Sequence, residues 1–426
     1  MAQLSDDCFA FGDDLMTTEA ALAELGERVS PVAGTERIAL GDALGRILAE
    51  DLKSERNVPP HDNSAVDGYA VYFDDLDAGK PTVLPVRGRA AAGHPHKGNA
   101  SHGEAIRIFT GAPMPKGRTD APDTVMMQED CTVLAGPDGE TLVEIAPGIK
   151  RGSNRRAAGE DVRAGSVILE AGQRLRPQDL GLAASVGCTE LAVRTPLKVA
   201  IFSTGDEIRD PGEKAPPGCV YDANRAMLAG LLKQLGCAVT DLGIQPDDPG
   251  AIAKTLTEAA KDHALIVTSG GMSVGEEDHV RDVVEKLGSI HFWRLAIKPG
   301  RPIALGQVKR VPFVGLPGNP VAVMVTFLRF ARPMVLLLSG CTGIAPRHYP
   351  VRAGFAHKKK KGRREWVRAR LLTGPDGAPV AEKFPDQGAG ILSSMVAADG
   401  LVELPEDMTD LEAGAMVDFL PFSEVR

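Results

Sequence analysis

"LIVTSGGMSVGEEDH", residues 265–279, decides how the rest of the chain is read. Residues 265–268 form a short apolar run, which predicts a buried strand. Ser269, Gly270, Gly271 and Gly275 follow, then three carboxylates, Glu276, Glu277 and Asp278. After them "HVRDVVEKLG" has the apolar spacing of a helix. A strand, a glycine-rich turn and a helix make half of a crossover in a parallel sheet. Glycines let backbone N–H groups approach an anion, and the helix start adds its positive end. The acidic block has two readings. It is either the solvated, capped start of a helix, or a carboxylate set holding the divalent cation that travels with a phosphate.

Outward from this unit the same alternation repeats. "KVAIFS" precedes helix "DANRAMLAGLLKQLG", and "CAVTDLGI" precedes helix "DPGAIAKTLTEAAKD". "IHFWRLAI", "IALGQV" and "PFVGL" come next, then a helix after Asn319. Strands alternating with helices predict a mostly parallel sheet covered on both faces. Upstream, residues 17–30 read as a helix with Thr17 or Thr18 as N-cap, and residues 42–53 as a second helix. Residues 57–150 switch to short β-type runs broken by Gly, Pro and Asp, which predicts a small β domain. After a turn, "SVILEAGQRLRPQDLGLAASVG" returns to helix. From residue 349 a second β-rich region begins.

Bulk properties exclude several classes. Lys and Arg number 48 against 57 Asp and Glu, so the net charge of −9 argues against nucleic-acid binding. Aromatic residues are 4%, too few for stacking along single strands. Six scattered cysteines without a C-x-x-C pair suggest reduced thiols in the cytoplasm and give no readable zinc site. The acidic N-terminus has no signal-peptide pattern. Residues 321–338 are apolar but include Arg329 and Arg332, and read as a buried helix rather than a membrane span. The basic run "HKKKKGRRE", 357–365, reads as a solvated hairpin edge. No Walker A loop occurs, and no G-x-G-x-x-G follows a strand, which disfavours an NTPase or a dinucleotide-dependent dehydrogenase.

Ligands of open α/β sheets bind at the carboxyl ends of the strands. Here those ends read "STGDE", "LGIQPDD", "TSGGMSVGEED", "AIKPGRP" and "GLPGNP". Asp206, Glu207 and Asp278 are hard oxygen ligands suited to Mg²⁺. Lys298 and Arg301 could clamp an oxyanion. Asp222 opens a helix, so simple capping competes with a binding role. Two further clusters lie upstream: "PPHDNSAVDGYAV" with Asp62, Asn63, Ser64 and Asp67, and "IFTGAPMP" and "RRAAGED" with Thr110, Arg155, Arg156, Glu160 and Asp161.

The ordered motifs "DNSAVDGYA", "TGAPMP", "GED", "FSTGDE", "YDANR", "SGGMSVGEEDH", "FWRLAIKPGRP" and "GLPGNP" resemble the molybdopterin molybdenumtransferase family over nearly the whole chain. This is the bacterial MoeA type, related to the E domain of gephyrin. The resemblance implies a multidomain α/β plus β fold. Its parts are an elongated, discontinuous helical domain (1–56 and 150–195), an inserted β domain (57–149), a central α/β domain of the molybdopterin-binding type (196–342) and a C-terminal β barrel (343–426). It also implies Mg²⁺-dependent cleavage of adenylylated molybdopterin, insertion of molybdate and release of AMP. A homodimer with a cleft shared between subunits is expected, as is possible contact with molybdopterin adenylyltransferase, without membrane or nucleic-acid partners.

Carried over by position, the catalytic candidates are Asp67, Asp161, Asp206, Glu207, Asp278 and Lys298. Substrate- and phosphate-binding candidates are Thr110, Arg156, Ser203, Thr204, Gly205 and Asp222, with Ser269, Gly270, Gly271, Ser273 and Gly275 in the glycine turn. Molybdate-binding candidates are Lys298, Arg301, Pro302, Pro317, Pro320 and Arg368; metal candidates are Asp206, Glu207 and Asp278. The chain departs from the family pattern at Arg294 and Arg301, where many relatives carry Lys, and at Ala322 and Ala389, where many carry Ser. The rival readings are an adenylyltransferase-like enzyme, which leaves residues 1–190 and the tail without a role, and a non-catalytic gephyrin-like scaffold, against which the full set of acids and cations at the strand ends argues.

Overall fold

The computed structural model describes residues 16–271, 279–300 and 302–425. At its centre is a six-stranded sheet in the order Ala238–Gln245, Lys198–Thr204, Leu265–Ser269, Val311–Leu316, Pro302–Val308, Gly288–Arg294. The first four strands are parallel. Pro302–Val308 runs antiparallel to both its neighbours. Successive residues of a strand face opposite sides, and the packing follows that rule. Val199 and Ile201 join Leu228 and Leu232 of helix Ala223–Gln234 in one core. Ala200 and Phe202 join Ile252 and Leu256 of helix Pro249–Asp262 in the other, with Val280, Val283 and Val284 of helix His279–Leu287. Both faces are covered, so the central strands carry almost unbroken apolar runs.

Helix Pro320–Leu338 is the one described helix long and apolar enough to cross a membrane, and 89% of its apolar window is buried inside the protein. Its guanidinium groups are accommodated, not exposed. Arg329 lies 3.5 Å from Glu403 and over the Trp366 ring, and Arg332 donates to the Ile344 carbonyl at 2.9 Å.

Residues 349–421 close into a five-stranded barrel made of Tyr349–Ala353, Arg364–Thr373, Pro379–Lys383, Gly400–Leu404 and Met416–Pro421. The short strand Ile297–Lys298 leaves the central sheet and pairs in parallel with Arg364 and Glu365 on the barrel. Another six-stranded sheet occupies residues 68–145, curled into a half-barrel. The remainder holds helix Thr18–Arg28, capped by the Thr17 hydroxyl, helix Pro177–Ser185, and two strand pairs, Thr35–Ala39 with Glu190–Arg194 and Leu52–Lys53 with Val167–Leu169.

Two expectations require correction. Residues 42–53 are not a helix. Gly45 takes φ +75°, the left-handed region that ends helices, and the segment's N–H groups bond to distant chain: Gly45 to the Leu175 carbonyl, Leu48 to Gln173 and Ala49 to Ala192. The basic run 357–365 is neither a hairpin nor simply solvated: His357–Lys358 pairs with the sequence-remote Asp410–Leu411. Lys359 is buried and donates to the Pro405 and Met408 carbonyls, and Glu365 is buried among cations.

Candidate functional site

A cavity of about 750 Å³ opens at the carboxyl edge of the parallel strands. One strand end supplies Ser203, Thr204, Gly205 and Glu207, and the next supplies Ser269, Gly270 and Gly271. Both serines are buried, with their hydroxyls 3.5 Å apart. Gly270 and Gly271 have φ of +82° and +64°, a conformation that L side chains rarely adopt. A Cβ on Gly270 would also stand a tight 3.3 Å from the Thr204 carbonyl, so a side chain here would press on the neighbouring strand end. Across the cavity, Asn319 and Pro320 open the long helix, and Gly390 reaches in from the C-terminal region.

Asp222 lies on the same wall and caps helix Ala223–Gln234, accepting from the Arg225 N–H at 3.0 Å. The capping reading of this residue is therefore correct. Its other oxygen is buried without a hydrogen-bond donor. Asn224 is similar, donating to the Gly318 carbonyl at 2.7 Å while its own side-chain oxygen is left unpartnered.

The acidic side of the cavity holds a residue the motifs did not single out. Asp247 accepts from the Asp206 N–H at 3.2 Å. Burial, and then the Asp206 and Glu207 carboxylates, raise its pKa above the usual range for aspartate. Such a surplus of negative charge suits a cation. Among the described residues no three His, Cys, Asp or Glu side chains are gathered closely enough to enclose a metal. Mg²⁺ needs no such cage, because it takes one or two carboxylates and keeps water and phosphate oxygens for the rest. Asp206 and Glu207 fit that pattern.

The candidate oxyanion residue Lys298 sits where strand Ile297–Lys298 pairs with the barrel. Lys298 extends toward Glu365 at 3.3 Å, and Glu365 also accepts from His357 at 3.2 Å and Arg363 at 2.9 Å. Burial opposes the Glu365 charge, but these partners outweigh it and hold its pKa below the usual range. Glu365 had no signal in the sequence beyond its place in the basic run. Arg368 is buried on the outer face of its barrel strand, opposite the barrel-core residues Val367 and Ala369. Its guanidinium donates to Ser394 Oγ and the Gly388 carbonyl, each at 3.0 Å, and so fixes the loop that carries Gly390. Burial lowers its pKa. The Val321 N–H donates to the Ala389 carbonyl at 3.0 Å, locking this loop to the start of the long helix. Pro320 lines the cavity; Pro317 is half-buried in the loop just before it, and Pro302 begins its strand. Ser273, Gly275, Asp278 and Arg301 lie outside the described residues.

The third group of candidates sits in the curled β region. Asp67 accepts from both the N–H and the hydroxyl of Thr110, each at 2.8 Å, and these bonds hold its pKa below the usual range. Arg155 and Arg156 pair with Ser64 and Asn63, and Asp62 accepts from the Ala158 N–H at 2.8 Å. The exposed Asp161 donates its N–H to the Val58 carbonyl at 2.9 Å. No described backbone hydrogen bond joins residues 57–165 to residues 196–342.

Comparison with known proteins accounts for the three regions in order. Residues 16–187 match the MoeA N-terminal region (domain I and II), 200–347 the probable molybdopterin binding domain, and 350–422 the MoeA C-terminal region (domain IV). The chain is 37% identical over 412 residues to the molybdopterin molybdenumtransferase of Haemophilus influenzae, spanning 96% of this chain and 100% of that protein. It is 33% identical over 408 residues to molybdopterin molybdenumtransferase 2 of Mycobacterium tuberculosis, covering 94% and 97%. The crystal structure of the moeA protein from Pyrococcus horikoshii superposes with a TM-score of 0.80 at 28% identity, covering 96% of this chain and all of that one. The chain therefore belongs to the molybdopterin molybdenumtransferase family of the MoeA type, and it is a transferase of molybdenum cofactor biosynthesis.

Proposed function

We propose that the enzyme takes adenylylated molybdopterin as its substrate, releases AMP in the presence of Mg²⁺ and inserts molybdate at the dithiolene to give molybdenum cofactor. The observation that carries this reading is the junction of a glycine turn with an acidic edge in one cavity: Gly270 and Gly271 line it together with Glu207 and Asp247, and the Asp206 N–H donates to Asp247. A pyrophosphate needs both N–H donors and a cation to offset its charge. Asp206 and Glu207, with Asp278 beyond the described residues, would hold that cation. Once bound, it would supply positive charge to the phosphate oxygens. Lys298 and Arg301 would draw molybdate to the neighbouring pocket, and Arg368 would act by holding the loop beside it. The proposal includes a cytoplasmic homodimer in which Asp67, Thr110, Arg156 and Asp161 complete the cleft of the other subunit.

The test is direct. Purified protein is incubated with adenylylated molybdopterin, Mg²⁺ and molybdate, and AMP and molybdenum cofactor are followed together. Both products should appear, and both should depend on Mg²⁺. Cofactor formation without AMP release, or equal turnover in chelator, counts against the reading.

A further inference from the structure

One wall of the cavity is apolar and unexplained by the fold. Strand Val220–Tyr221 pairs in parallel with Ile208–Arg209 as a two-stranded ribbon. Ile208, Val220 and Tyr221 all line the cavity, and Val220 and Tyr221 are 54% and 51% exposed. A large apolar residue left this open on a surface turn is commonplace. Tyr221 differs because it is held. Its hydroxyl donates to the Glu213 carbonyl at 2.9 Å. The ribbon is fixed on either side by Val220 N–H to the Glu207 carbonyl and Asp222 N–H to the Arg209 carbonyl, both at 2.9 Å. The next residue, Asp222, caps a helix. The result is an aromatic ring that is immobilised at its polar end, solvent-facing, and part of the same cavity as a glycine turn suited to phosphate. A rigid aromatic face loses little conformational freedom when a flat partner covers it.

We propose that this ribbon is the ring platform of the site: Tyr221 stacks on a flat nitrogen heterocycle, Val220 and Ile208 flank it, and the Gly270–Gly271 turn holds the phosphate attached to that heterocycle. The assignment rests on the proposed substrate, which offers two such rings, adenine and pterin, at opposite ends of one pyrophosphate. The platform takes whichever ring lies on the Tyr221 side.

Ligand binding tests this separately from turnover. Full-length wild type, Tyr221→Ala, Tyr221→Phe and Tyr221→Trp are titrated with AMP, with 6-hydroxymethylpterin and with inorganic pyrophosphate, all in Mg²⁺. Tyr221→Ala should weaken AMP or the pterin by about tenfold, the scale of one lost stacking contact. Pyrophosphate should bind as to wild type. Tyr221→Phe and Tyr221→Trp, which retain a flat face but lose the hydroxyl anchor, should keep most of the affinity that alanine loses. The platform is overturned if Tyr221→Ala binds both rings normally, if pyrophosphate weakens in step with the rings, or if wild type binds neither ring. A wild-type protein that binds AMP or the pterin but releases no AMP from adenylylated molybdopterin would refute the proposed reaction and leave the platform standing.

Discussion

Ala322 and Ala389 are far apart in sequence and adjacent in the fold. The Val321 N–H donates to the Ala389 carbonyl, and the Ala322 methyl lies beside Gly300, where an added Cβ would stand 3.3 Å from it. Of the two positions expected to carry hydroxyls, Ala322 thus lies against the loop that follows Lys298, and Ala389 is tied to the residue before Ala322. Ala322→Ser combined with Ala389→Ser should lower the molybdate concentration giving half-maximal cofactor formation, by about tenfold if two neutral hydrogen bonds together supply ~1.4 kcal/mol. Molybdate titration of cofactor synthesis checks this, and an unchanged or higher midpoint means neither hydroxyl faces the anion. Residues of this kind were visible in the sequence because a motif pointed at them. Asp247 was not, although its stretch, "LGIQPDD", was recognised as a strand end. The two aspartates look alike on paper. Pro249 distinguishes them, because a proline at the first helical position makes Asp248 the N-cap, and Asp248 does accept from the Ala251 N–H at 2.7 Å. That leaves Asp247 free to face the cavity. Glu365 offered no such cue, since its role depends on a strand pairing between regions remote in sequence.

Elements were legible where local chemistry and tertiary packing agree. Helices Ala223–Gln234 and Pro249–Asp262 combine an aspartate cap with an apolar face, and both were readable. Residues 42–53 have helical composition but glycine at the decisive turn, so tertiary pairing took over. The long helix was legible as buried, but the means of burying its Arg329 was not. Glu403 of strand Gly400–Leu404 provides it, accepting from Arg364 at 2.6 Å and from the Trp366 indole N–H at 2.9 Å, with Arg329 and His348 nearby. Burial opposes the charge, but these partners outweigh it and bring the Glu403 pKa down to about 2. The folded pKa lies below the unfolded value, so the stabilisation is present above about pH 4.5 and is lost as pH falls toward 2. Glu403→Gln should cost about 3 kcal/mol near neutral pH, the scale of breaking a buried ion network. Denaturant unfolding from pH 7 to pH 3 should show the gap between variant and wild type closing below pH 4.5. A gap that stays constant with pH would assign the loss to packing and not to charge.

At the scale of the whole molecule, the order of the regions was readable from changes of texture along the chain, because each region has its own periodicity and core. Which regions share a cleft was not, because periodicity carries no information about subunit contacts. The candidate residues fall into two sets. Asp67 and Thr110 are bonded to each other in the curled β region, while the Gly270–Gly271 turn and the acidic edge line the cavity of the central domain. The proposed homodimer brings the two sets together across the subunit interface. Each dimer then has two clefts, and each cleft draws Asp67 from one subunit and Asp278 from the other. Asp67→Ala and Asp278→Ala proteins should each be inactive alone. Mixed and allowed to exchange subunits, they form heterodimers in which one cleft carries both lesions and the other carries neither. Random exchange makes about half the dimers mixed, each with one working cleft, so AMP release should recover to roughly a quarter of wild type by the two-fold symmetry of the interface. If a single subunit supplied both residues, every cleft would keep one lesion. Mass spectrometry of differently tagged subunits establishes that exchange has occurred, and exchanged dimers that still release no AMP would rule out the shared cleft.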